Sequence, residues 1–101
     1  MLDHAREAVG MLAGKERAEL DHNRMLCLAL VRLAEIVGEA AARVSTEFQQ
    51  SHPAIPWPQI VSLRNRLIHG YDAVDSDILW RILKEDFPQL IAELQKLSPE
   101  S

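Results

Sequence analysis

Leu2, Ala5, Val9 and Leu12 recur at steps of three and four residues, the spacing of one face of an α-helix. Gly10 and Gly14 weaken that helix, and Gly14 is its expected end. The polar stretch GKERAELDHN reads as a connection into the next helix. The strongest periodic signal runs from about Glu19 to Gln50. Leu26, Leu30, Leu33, Val37, Ala40, Val44 and Phe48 form one apolar seam, widened by Ala29, Ile36 and Ala41. Arg32, Glu35, Glu39 and Arg43 form a charged stripe beside it. Their spacing allows ion pairs worth about 0.2–0.5 kcal/mol each when exposed.

SHPAIPWP breaks the pattern, because each proline forces the residue before it into an extended conformation. Pro58 suits the first turn of a new helix. That helix carries Ile60, Val61, Leu63, Leu67 and Ile68, with Gly70 as its natural stop. YDAVDSD reads as a loop, with Ser76 or Asp75 as N-cap. A last helix places Leu79, Ile82, Leu83, Leu90, Leu94 and Leu97 on one side, and Pro88 predicts a kink or break near Phe87. The sum is an all-α fold, a bundle of four to five helices running up and down in one domain over residues 1–98, with 99–101 as a tail.

Composition narrows the class. A chain of 101 residues with 48% hydrophobic and 26% charged residues is a soluble globular domain. The net charge of −4 argues against nonspecific binding of DNA or membranes by the whole surface. Cys27 is the single cysteine, so no internal disulfide can form, and its apolar setting MLCLALV points to an inert thiol. That apolar run is too short to span a bilayer, and MLDHAREAVG lacks the profile of a signal peptide. A reducing cytoplasm is the expected location.

Charge is not evenly spread. Phe48 to Tyr71 contains no Asp or Glu, and it ends in LRNRLIHGY. On a helix ending at Gly70, His69 would lie at the negative end of the helix dipole, which favours imidazolium. Asn65, four residues earlier, would share its face and could orient the ring. Arg64 lies five residues before His69, about 140° away on a straight helix. Either the long side chain curls round, or a second copy of the chain completes the site in a symmetric dimer. Arginine can clamp a phosphodiester in a fork, histidine can move a proton near neutral pH, and RNA supplies its own 2′-hydroxyl nucleophile. No metal or other cofactor is then needed, and His4, His22, His52 and His69 lack ligand spacing. On spacing alone the plainer alternative stands: Arg64 and Arg66 as solvated charges, His69 as a helix end and Tyr71 as loop packing.

Arg64-Asn-Arg-Leu-Ile-His69-Gly-Tyr71 resembles Arg-x-x-x-x-His-x-Tyr, the motif of HEPN-domain ribonucleases of the HepT type. Ile36-Val-Gly-Glu-Ala-Ala41, Ile55-Pro-Trp57, Val74-Asp75, Ile78-Leu-Trp80 and Asp86-Phe-Pro88-Gln-Leu are similar to that family's other segments, in the same order. The resemblance implies a HEPN-type bundle that forms a homodimer, with two motif copies lining one cleft. It implies a toxin that is a metal-independent endoribonuclease, paired with a minimal nucleotidyltransferase antitoxin of the MntA type that transfers AMP to the motif tyrosine. Arg64 and His69 are then the catalytic pair. Asn65 is supporting, and Tyr71 is both a site residue and the AMP acceptor.

Arg66 is divided between contact with the RNA backbone and simple solvation. Glu39 is a supporting candidate that could line the cleft and position His69 or an arginine; its plainer reading is an ion pair with Arg32 or Arg43. Trp57 and Trp80 read as core or interface anchors rather than as stacking platforms. The rival functional class is a noncatalytic HEPN module that binds nucleotide or substrate for a nucleotidyltransferase, which the acidic net charge favours.

Overall fold

The computed structural model describes residues 1–69 and 73–97, with Arg64, Ile68, His69, Ala73 and Val74 described by backbone alone. Helix α1 spans Leu2–Leu12. Gly14 follows at φ 76°, so the expected stop falls where the backbone needs a residue without a Cβ. The polar connection is not wholly irregular, because Glu19–His22 forms a single helical turn, α2.

The helix expected from Glu19 to Gln50 is divided in three. Asn23 is extended (φ −112°, ψ 91°), and its side chain accepts the N–H of Leu26 at 3.0 Å. It therefore starts a new helix, α3, over Arg24–Ala42. Ser45 (φ −61°, ψ 151°) accepts the N–H of Phe48 at 3.1 Å and opens α4, Thr46–Ser51. Gln49 Nε2 donates to the carbonyls of Ala41 and Val44, each at 3.3 Å, tying α4 back onto the end of α3, where the Ala41 carbonyl also accepts the N–H of Val44 at 3.2 Å.

Helix α5 spans Trp57–Val61 with Pro58 in its first turn, as the sequence predicts. It does not run on to Gly70. Ser62 Oγ donates to the carbonyl of Pro58 at 2.6 Å, a back-bond that bends helices, and α6 then covers only Leu63–Leu67. Ile68–His69 (β1) pairs antiparallel with Ala73–Val74 (β2), placing Ile68 opposite Val74 and His69 opposite Ala73. Two β-branched residues facing each other suit a ladder better than another helical turn. The N–H of Asp75 meets the carbonyl of Leu67 at 2.8 Å. Asp75, rather than Ser76, caps α7 (Ser76–Arg81), its Oδ1 accepting the N–H of Ile78 at 3.1 Å.

Helix α7 continues through a π-turn at Ile82–Asp86 into α8, Phe87–Leu97. Pro88 has no N–H for the carbonyl four residues back and its ring crowds that turn. The kink expected near Phe87 thus takes the form of a widened turn.

Helix α1 packs on α3 and α8, and α3 packs on α5 and α6. Leu12, Leu30, Val37, Ile60, Leu63, Leu67, Leu79, Ile82, Phe87 and Leu90 are buried in one core. Burying a side chain of this size stabilises the fold by roughly 1.5–3 kcal/mol. Leu97, expected on the inner side, is 46% exposed. Trp57 is an anchor of the core: its ring is buried, and its Nε1 donates to the carbonyl of His52 at 3.0 Å. The architecture is an all-α bundle carrying one two-residue ladder. No helix among the described residues is long and apolar enough to cross a membrane.

Candidate active site

The described part of the LRNRLIHGY segment, Leu63 to His69, lies where α6 gives way to β1. Leu63 and Leu67, four residues apart, are fully buried and seat α6 on α3. Asn65 is exposed. Arg64 sits on α6, and His69 sits two residues beyond its end, on the ladder. Three sequence expectations fail here. His69 is in the ladder and not at a helix C-terminus, where the helix dipole would favour imidazolium. Asn65 and His69 are not one helical turn apart, because the helix has stopped at Leu67. The 140° separation of Arg64 and His69 falls for the same reason. Gly70, Tyr71 and the C-terminal residues from 98 onward lie outside the described residues.

Gly38 fixes how closely the motif segment approaches α3. A Cβ at Gly38 would lie 3.0 Å from the carbonyl oxygen of Ile60 and 3.7 Å from Leu63 Cβ. An added Cβ at that distance would require the junction of α5 and α6 to give by a few tenths of an ångström. The available signal was a glycine in mid-helix, far from any cap.

Arg66 is drawn into a structural role. Its Nη1 lies 3.2 Å from Asp86 Oδ2 and 3.0 Å from the carbonyl of Gln59. The two side chains are 26% and 17% exposed. The DFPQL segment therefore bears on the motif by holding α6 to the π-turn.

Glu39 is exposed and lines a cavity of about 170 Å³ with Glu35, Gly38, Ala42 and Val61. Among the described residues it forms no ion pair with Arg32 or Arg43. A larger groove of about 470 Å³ shares Ala42 and Val61 and extends over Thr46, Gln49, Gln50, Trp57 and Pro58. Among the described residues no acid lines this larger groove, in keeping with the acid-free sequence window. Cys27 is half-buried, and burial pushes its thiol up, which leaves little thiolate at neutral pH.

These features describe a small helical domain with Arg64 in the backbone of α6 and His69 in the ladder that follows it. The family model for HepT-like ribonucleases matches residues 1–97, and the chain belongs to that family. It is 35% identical over 95 residues to "Putative RNase MJ1380" of Methanocaldococcus jannaschii, covering 94% of this chain and 87% of the relative. It is 42% identical over 69 residues to "Probable ribonuclease HepT" of Thermococcus cleftensis, covering 68% of this chain and 63% of that relative. "Putative RNase TTE0752" of Caldanaerobacter subterraneus is 34% identical over 73 residues, or 72% of this chain and 65% of the relative. No solved structure matches the chain.

Proposed function

We propose that this chain is a metal-independent endoribonuclease that acts as a toxin, cutting RNA by attack of its own 2′-hydroxyl. The observation that carries this reading is a family match over residues 1–97 enclosing an intact Arg64, His69 and Tyr71 set. Arg64 stabilises the charge that develops on the phosphorane. His69 takes the proton from the 2′-hydroxyl or delivers one to the leaving 5′-oxygen. A cyclic phosphate end is the product.

The active unit in this reading is a homodimer in the cytoplasm, with two motif copies around one scissile linkage. Its second copy covers the groove at Ala42 and Val61. Val61 is 41% exposed there and only three residues before Arg64. A minimal nucleotidyltransferase antitoxin silences the toxin by placing AMP on Tyr71, where added bulk and negative charge repel an RNA phosphate.

The test is cleavage of a labelled RNA by wild type and His69→Ala, with and without a strong chelator. Cleavage by wild type in chelator, and none by a folded His69→Ala dimer, is the expected result. Equal cleavage by both proteins rejects His69 as catalytic, and recovery only on adding metal rejects the metal-free mechanism. Incubated with the transferase and ATP, wild type gains the mass of AMP at Tyr71 and Tyr71→Phe does not. Intact RNA together with retained nucleotide binding would instead support the noncatalytic binding module.

A further inference from the structure

Helix α7 and the π-turn send Leu79, Ile82 and Leu83 into the core and turn a different set of residues outward. Trp80 is half-buried, while Arg81, Lys84 and Glu85 are exposed. With Arg17 and Asp77 these residues bound a cavity of about 380 Å³, within the range of about 300–1,000 Å³ typical of small-ligand sites. Lys84 Nζ stands 4.8 Å from the centroid of the Trp80 ring. Aromatic face and cation are thus already juxtaposed.

One wall of the cavity is fixed. Arg17 Nε lies 2.7 Å from Asp77 Oδ1, and its Nη1 lies 2.9 Å from Asp21 Oδ2. The hydrogen bond to Asp77 is the main cause that raises the Arg17 pKa further above its ordinary value. This guanidinium is therefore committed to joining the α1–α2 connection to α7. Among the described residues neither Arg81 nor Lys84 is ion-paired, so two cations remain for an anionic ligand beside the ring. Asp77 and Glu85 bring acceptors of the kind that take exocyclic amino groups of bases. An aromatic face, two available cations and amine acceptors in a cavity of this volume match a nucleotide with an unpaired base.

We propose that this cavity is an accessory site for one nucleotide of single-stranded RNA, its base stacked on Trp80 and its phosphates held by Arg81 and Lys84. The choice of RNA rests on the ribonuclease reading above. The cavity is separate from Arg64 and His69, and it would hold a nucleotide flanking the linkage that is cut. Lys84 moves from the ring to a phosphate as the base takes its place.

The probe is a ten-nucleotide 2′-O-methyl oligoribonucleotide, which lacks the nucleophile and cannot be cut, added to the full chain. Because Trp57 is buried, quenching of tryptophan fluorescence reports on Trp80. Read instead from the anisotropy of a fluorophore on the same oligonucleotide, because the reporter ring is gone, Trp80→Ala is expected to weaken binding roughly tenfold or more. The double variant Arg81→Ala/Lys84→Ala changes only exposed side chains and keeps both tryptophans. It is expected to lower the slope of log K against log salt by about 1.4. In parallel, both variants cleave a dinucleotide at the wild-type rate and a long RNA more slowly. Unchanged affinity and salt slope in the double variant overturn the accessory site, even if Trp80→Ala fails to fold. Wild type that cleaves RNA while both variants bind as it does keeps the ribonuclease reading and removes this one. Wild type that binds at Trp80 but never cleaves does the reverse.

Discussion

At Gly38 two effects oppose each other within a single methyl group. A glycine inside a helix costs about 1 kcal/mol relative to alanine, so Gly38→Ala should strengthen α3. The added Cβ would meet the Ile60 carbonyl at 3.0 Å, and a backbone atom cannot rotate away as a side chain can. These contributions leave Gly38→Ala close to wild type in stability. Gly38→Leu has no such balance and should lose about 1–3 kcal/mol through overpacking. Urea denaturation of the two variants checks this; a Gly38→Leu protein as stable as wild type would show that α5 and α6 are not pressed onto α3. The same measurement bears on function, because any retreat of Ile60 and Leu63 carries the Arg64 backbone with it.

Among the elements, the tie between α6 and the π-turn decides whether the motif segment stays in place. Arg66 and Asp86 are neither buried nor fully exposed, so removing one partner falls between the small cost at a surface and the large cost in a core. Asp86→Ala should destabilise by about 1–2 kcal/mol, and Arg66→Ala by a similar amount. A double mutant close to either single variant would mark the two as one interaction. Fully additive losses in thermal melts would show that they act separately. Much of the element order was legible in the sequence. The steps of three and four gave α1, Pro58 opened α5, Asp75 was one of two expected caps, and Pro88 marked the irregular turn. The breaks at Asn23, Ser45 and Ser62 were not legible. The apolar seam from Leu26 to Phe48 runs past Ser45 without a fault, and each break is decided by one side-chain oxygen bonding a nearby backbone group. The candidate site was readable as a set of residue types. Its geometry was not, because the helix ends at Leu67 where Ile68 and His69 pair with Val74 and Ala73, and Arg66 finds its partner twenty residues away.

For the molecule as a whole, the predicted consequence of the homodimer reading is a coupling between assembly and cleavage. Light scattering should give twice the chain mass of 11.4 kDa. Val61→Glu should shift that value toward the monomer and lower RNA cleavage in parallel. A wild-type monomer with full activity would exclude a cleft shared between two copies. The π-turn has a consequence of its own at this scale. It holds one residue more than a regular helix would use over the same rise, and so absorbs a surplus residue in a widened turn. Wound as ordinary helix, the same residues would rotate all of α7 by about 100° relative to α8; deleting one of them would instead leave a regular helix with both segments in register. The widened turn thus keeps the clocking that holds Leu79 turned inward, Trp80 at the rim and Asp86 within reach of Arg66.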